Sequence, residues 1–168
     1  ICNCGSHAWA PTTHGLVTLV SPQDKHFLDQ RCWWANNSRG KFYATMRGKT
    51  LHQAITEWSS LTDHIDGNGH NNQRSNLRPC NQSQNGANRK ITKNRRFKGV
   101  FFHKQSQRWT AKIRVKRQLI HLGYFDNEVA AASAYDASAT FYFGEFARLN
   151  FPTGDVCHSV EQSTQGVP

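Results

Sequence analysis

Apolar and polar positions alternate in short runs between residues 14 and 58, first in Gly15-Leu16-Val17-Thr18-Leu19-Val20 and again in Lys41-Phe42-Tyr43-Ala44-Thr45-Met46. A period of two turns one strand face inward and the other outward, and Asn36-Asn37-Ser38-Arg39-Gly40 supplies turn residues between the runs, so this region predicts hairpins. Ser21-Pro22-Gln23-Asp24 offers an N-cap with proline in the first turn, and Phe27, Leu28 and Trp33 follow at helical spacing. A short helix is predicted there, and a second over Leu51 to Trp58. From Leu61 to Lys90 the pattern dissolves into Asn, Gly, Gln and Arg with little to bury. Side-chain hydrogen bonds to the backbone, or a metal, must order such a stretch. Within it Gln82 to Arg89 reads as a short helix.

The periodicity returns further on. Lys98 to His103, Arg108 to Val115 and Leu119 to Tyr124 read as three strands, followed by an alanine-rich helix from about Asn127 to Phe143. On the middle strand Trp109, Ala111 and Ile113 point one way and Arg108, Thr110, Lys112 and Arg114 the other, which predicts an apolar face for the helix and a cationic face left open. Asp126 and Asn127 are expected to cap the helix, and Asp136 to pair with an arginine beneath the sheet.

With 168 residues the chain has room for one compact domain or two small ones, and although only 37% is hydrophobic, its five Trp, ten Phe and four Tyr can nucleate two cores. The expected organisation is an extension over 1–13, a first module over 14–90, a basic linker over 91–96, the sheet domain over 97–152 and a polar, disordered tail over 153–168. Twenty-one Lys and Arg against eleven Asp and Glu leave a charge of +10. Its distribution sharpens the picture: fourteen of the basic residues and no acidic one lie between Asp66 and Asp126. One continuous cationic segment points to a polyanionic partner. No apolar run is long enough to span a bilayer and no signal peptide is visible, so a soluble cytoplasmic protein without a membrane partner is expected. The five cysteines, odd in number and scattered, read as reduced thiols, and Cys2-Asn3-Cys4 with His7 reads as incidental.

Thr62-Asp63-His64-Ile65-Asp66-Gly67-Asn68-Gly69 sets a carboxylate beside an imidazole before a glycine turn, and Asn76 and Asn85 follow. Neighbours on a strand face opposite sides, so Asp63 and His64 share a site only where the strand ends or kinks. Asp63, the amide oxygen of Asn85 and water would suit one divalent cation, Mg2+ or Mn2+, and His64 could take a proton from an attacking water. On the residues alone, an Asx-rich turn whose members cap one another is the favoured alternative.

Together D-H-I-D-G-N-G, N-N-Q-R-S-N-L-R and S-Q-N resemble the HNH homing-endonuclease motif, and G-L-V-T-L-V-S-P-Q-D, Cys32-Trp33-Trp34 and Leu51-His52 resemble what precedes it. The resemblance implies two strands and a helix around one metal, with Asp63 and Asn85 as ligands, His64 as general base and Asn76 tethering the loop and orienting His64. Gln53 departs from it, since relatives commonly carry Arg there, and so does the short, non-basic stretch between Ile55 and Asp63.

Lys98-Gly99-Val100, Trp109-Thr110-Ala111-Lys112-Ile113-Arg114, Leu122-Gly123-Tyr124-Phe125-Asp126, Ala130-Ala131 with Ala134-Tyr135-Asp136, and Leu149-Asn150-Phe151-Pro152 resemble the APETALA2 or ethylene-response-factor domain. That family lays a three-stranded antiparallel sheet, backed by one helix, in the major groove. Matching positions on the DNA face are Lys98, Phe101, His103, Arg108, Lys112, Arg114, Leu119 and His121, while Arg74, Arg78, Arg89, Lys90, Arg95 and Arg96 add basic contacts. Phe101, Leu119 and His121 replace base-reading residues of the plant members. The expectation is therefore an α+β protein: an HNH module of ββα-metal type, then the sheet domain. It would act as a monomeric, metal-dependent endonuclease on double-stranded DNA, in a bacterial or phage-infected cell. The alternative is a DNA-binding regulator with an inactive HNH remnant.

Overall fold

The computed structural model describes residues 5–29, 32–38, 40–57, 61–91 and 95–152, and over these the architecture is α+β. In the N-terminal half β1 (Ala8–Pro11) pairs antiparallel with β2 (Val17–Val20), and α1 (His26–Asp29) follows. Then come β3 (Trp34–Ser38), β4 (Lys41–Met46) and β5 (Lys49–Thr50), an antiparallel meander, and α2 (Leu51–Thr56). The polar stretch forms β6 (Leu61–His64), β7 (Asn71–Asn72), β8 (Leu77–Cys80) and α3 (Gln82–Ala87). β6 pairs antiparallel with β8, and β7 adds a parallel edge to β2. The C-terminal half holds the antiparallel sheet of β9 (Val100–His103), β10 (Arg108–Val115) and β11 (Gln118–Phe125), with β10 central, and α4 (Glu128–Phe143).

Local chemistry accounts for the ends of these elements. α3 opens on a reciprocal capping box, Gln84 N–H to Asn81 Oδ1 at 2.9 Å and Asn81 N–H to Gln84 Oε1 at 2.8 Å. Gln53 does similar work for α2, accepting the Thr50 N–H at 3.2 Å. α2 stops where Glu57 turns left-handed at φ 51°, so the expected helix ends before Trp58, which lies outside the described residues. After Ser21 the chain makes only a 3-10 turn, Pro22–Asp24, before the short α1. Trp33 is not helical; its indole N–H donates to the Phe27 carbonyl at 2.9 Å and its ring is buried. The strand predicted from Gly15 begins at Val17, because Thr13–Gly15 forms a 3-10 turn. β9 starts two residues later than expected because Gly99 sits at φ +75°.

Two apolar clusters organise the molecule. Ala8, Val20, Trp33, Ala44, Leu51, Ile55 and Leu77 form the first. Strand β1, which falls in the expected extension, is thus part of that core, with Ala8 only 1% exposed. In the second, Val100, Ala111 and Ile113 of the sheet meet Ala131, Ala132, Tyr135, Ala139 and Phe143 of α4, whose alanines let helix and sheet approach closely. Trp109, Leu122, Phe125 and Phe151 pack around it.

This second core reaches across the expected linker. Ala87, the last residue of α3, is buried within it, and its carbonyl accepts the Arg148 N–H at 3.3 Å and the Lys98 ammonium. Arg78 Nη1 donates to the Glu145 carbonyl at 2.9 Å and its guanidinium lies 3.9 Å over the Phe146 ring. The two halves are therefore packed together. Of the cap residues, Asn127 accepts the Ala130 N–H at 2.8 Å, whereas Asp126 pairs with Arg108 at 2.9 Å. Asp136 meets no arginine: its carboxylate accepts the N–H groups of Asn150 at 2.9 Å and Phe151 at 2.8 Å and the Asn150 amide at 3.0 Å, fastening the chain beyond α4. The tail from 153 and the Cys2–Cys4 segment lie outside the described residues.

Candidate nucleic-acid interface

One face of the β9–β10–β11 sheet is covered by α4 and the other is open. Register builds the open face: His103 lies opposite Arg108, Phe101 and Tyr124 flank Thr110, Lys112 opposes His121, and Arg114 opposes Leu119. Thr110 is buried at 2% exposure beneath its neighbours, and its hydroxyl lies 2.7 Å from His121 Nε2. The His121 ring stands 4.8 Å from that of Tyr124, which stands 5.4 Å from that of His103, so three aromatic rings cross the sheet in a row. The Arg95 guanidinium lies 4.2 Å over Phe101, and Lys112 Nζ lies 6.0 Å from the same ring. Arg114 and Leu119 stand exposed at the far end.

The face offers guanidinium and ammonium donors, two imidazoles and planar apolar surface, a set that suits phosphate oxygens, purine acceptors and base edges. Its acidic neighbour is Asp126, at the rim and bound to Arg108. Tyr124 was not among the expected face residues. Strict alternation from His121 sends Tyr124 inward, but the ladder shifts register between Ala111 and Lys112, where Gly123 sits at φ +132°. That bulge turns Tyr124 outward and Phe125 into the core. The glycine was the available signal.

Four of the other expected contacts are engaged elsewhere. Arg74 is held bidentate on buried Asp24, at 2.8 Å to each oxygen, and this pairing raises its pKa. Arg78 is buried against Asp63. Lys98 turns inward to the Ala87 carbonyl, and burial pushes its ammonium down to about 8, helped by Arg148. Arg96 stacks on Phe97 and lies 3.6 Å from Glu128. Arg89 and Lys90 are exposed beyond α3.

The polar stretch 61–90 closes on itself. Asp63, directly across the β6–β8 pair from Arg78, accepts its Nε and Nη2 at 3.0 and 2.9 Å, and both carboxylate oxygens also accept Asn88 Nδ2 at 3.0 Å. His64, the next residue, is turned to another side: its Nε2 lies 3.1 Å from Asn72 Oδ1 and its ring 5.0 Å from that of His52, edge-on. Burial lowers the pKa of His64, against the raising effect of Asn72, and lowers His52 to about 4. Asn76 tethers the loop, donating to Asp66 Oδ1 at 3.0 Å and the Asn71 carbonyl at 2.8 Å, but the residue that orients His64 is Asn72. Asn85 lines a separate cleft of about 630 Å³ with Tyr43, His52, Gln53 and Thr62. The expected ligand pair is not brought together: the amide beside Asp63 is that of Asn88, and Asn85 lines the cleft instead. Among the described residues no cluster of three or more His, Cys, Asp or Glu side chains is placed to hold a metal ion.

No protein-family model matches the chain. Among curated proteins it is 35% identical over 71 residues to an AP2-like ethylene-responsive transcription factor of Arabidopsis thaliana, covering 42% of this chain and 15% of the relative. It is 40% identical over 60 residues to dehydration-responsive element-binding protein 2A of the same plant, covering 34% and 18%. A third relative, an AP2/ERF and B3 domain-containing protein of Oryza sativa subsp. japonica, is 44% identical over 57 residues, covering 34% and 15%. The chain thus spans less than a fifth of the length of the relatives it matches. Part of it is similar to AP2/ERF-type DNA-binding domains. The expectation of an enzyme, an HNH phosphodiester hydrolase, is overturned: the relatives are named as transcription factors or element-binding proteins, not nucleases.

Proposed function

We propose that this protein is a DNA-binding regulator whose β9–β10–β11 sheet lies against the major groove of double-stranded DNA. The observation that carries this is the asymmetry of the sheet: one face is sealed by α4, and the other presents Arg95, Lys112, Arg114, His103, His121 and Tyr124. An ordinary solvated sheet face mixes both signs of charge, and this one carries its acid at the rim, paired with Arg108. The likeness to AP2/ERF transcription factors supports the same reading. The N-terminal half, with Asp63, His64 and Asn76 closed into internal networks, is an inactive nuclease-like remnant that braces the sheet.

Selection of bound sequences from a random duplex pool, followed by titration of the selected duplex, tests this. Arg114→Ala or His121→Ala should weaken the selected duplex by about 1–3 kcal/mol and relax its sequence preference. Equal affinity for every duplex, or variants indistinguishable from the parent, would sink the assignment.

A further inference from the structure

We propose that Lys41, Arg89, Lys90 and Arg148 form a second nucleic-acid contact, separate from the sheet face, that grips the phosphodiester backbone. This rests on the reading of the chain as a DNA-binding protein. The four cations come from three distant parts of the sequence: the first residue of β4, the two residues that follow Asn88 at the end of α3, and the segment beyond α4. The packing of the two halves brings them together. A Cβ built on Gly67 would lie 3.3 Å from Arg148 Nη1 and 3.4 Å from Lys90 Cε, so both side chains converge over the Gly67 turn, itself at φ +72°. Arg148 is fixed by its backbone bond to Ala87.

Among the described residues none of the four has an ion-pair partner. The nearby acids are already engaged: Asp63 is buried and held by Arg78 and Asn88, and Asp66, beside Gly67, accepts from Asn68, Asn71 and Asn76. Lys41 registers the crowding: partial burial lowers its pKa most, Asp63 opposes that, and Arg89, Lys90 and Arg148 each push its ammonium further down. Four like charges held by a folded scaffold repel one another, and an arriving anion relieves that repulsion. The shared chemistry is recognition of phosphate oxygens. Several phosphates in a row meet four cations better than one small ion does, because each contact releases a counterion condensed on the duplex.

The full chain is titrated with a fluorescent duplex over a range of salt, in parallel with Lys41→Gln/Arg148→Gln, with Arg89→Gln/Lys90→Gln and with Arg114→Ala. Each double variant is expected to weaken binding of any duplex sequence about tenfold and to lower the slope of log affinity against log salt by about 2, at roughly 0.9 for each phosphate that is no longer neutralised. The Arg89/Lys90 pair is exposed, so its result stands even if the Lys41/Arg148 variant fails to fold. Unchanged affinity and slope in the double variants, with Arg114→Ala still impaired, overturns this site and leaves the sheet reading intact. The opposite pattern, loss in the double variants with sheet variants unaffected, retires the sheet reading and keeps this site. A thermal shift with inorganic phosphate that the double variants abolish, while their duplex binding is unchanged, overturns the assignment to nucleic acid in favour of a small anion.

Discussion

Gly99 has very little freedom to change. Its φ of +75° disfavours any side chain, and a Cβ there would fall 2.0 Å from the Tyr135 ring and 2.8 Å from the Lys112 carbonyl. The glycine lets β9 enter the sheet directly over Tyr135, whose hydroxyl is pushed up to about 12 by burial. Gly99→Ala should cost at least about 3 kcal/mol, through strain and displaced packing together, and urea unfolding of the purified variant measures it. Single residues were also where the sequence was both informative and misleading. Asp63 and His64 stood out by type and spacing, and both are buried in dense hydrogen-bond networks. Their partners were not legible, because Arg78 meets Asp63 through the β6–β8 register and Asn72 meets His64 through the fold of β7 beside β2, and spacing fixes neither.

At the scale of elements the alternation of the C-terminal strands predicted the sheet, its apolar face and the helix that covers it. It did not place Tyr124 on the open face, because the ladder shifts register beside Gly123. In the N-terminal half helix ends were missed where they depend on a local turn, as at Glu57. The same half carries a titration. His52 on α2 and His64 on β6 stand edge to face, with His70 buried just before β7 and neither of its ring nitrogens hydrogen-bonded among the described residues. Burial lowers all three below the ordinary value of 6.5, His52 to about 4. The unfolded chain therefore binds protons more readily than the folded one. Stability is complete above about 6.5 and declines as the pH falls toward about 4. The thermal midpoint should drop across that window, and His52→Gln should flatten the drop in a series of melts at fixed ionic strength.

Over the whole molecule, the charge distribution pointed to a polyanionic partner, and the open sheet face and the Lys41–Arg148 cluster are two places where, among the described residues, cations stand without an ion-pair partner. Composition could not reveal how the halves are joined. The basic run after Lys90 looked like a connector between independent modules, yet Ala87 belongs to the C-terminal core and its carbonyl holds both Lys98 and Arg148. Small residues such as Ala87 leave no periodic signature, so a shared core built on them is invisible until the chain is folded. The consequence is that the covalent link matters less than it looks. A recognition sequence for a site-specific protease, inserted after the exposed Arg95 and cut, should leave two pieces that still travel as one particle in gel filtration and come apart only in denaturant. Pieces that separate at once would mean that the embrace of α3 by the C-terminal core is too weak to replace the peptide bond.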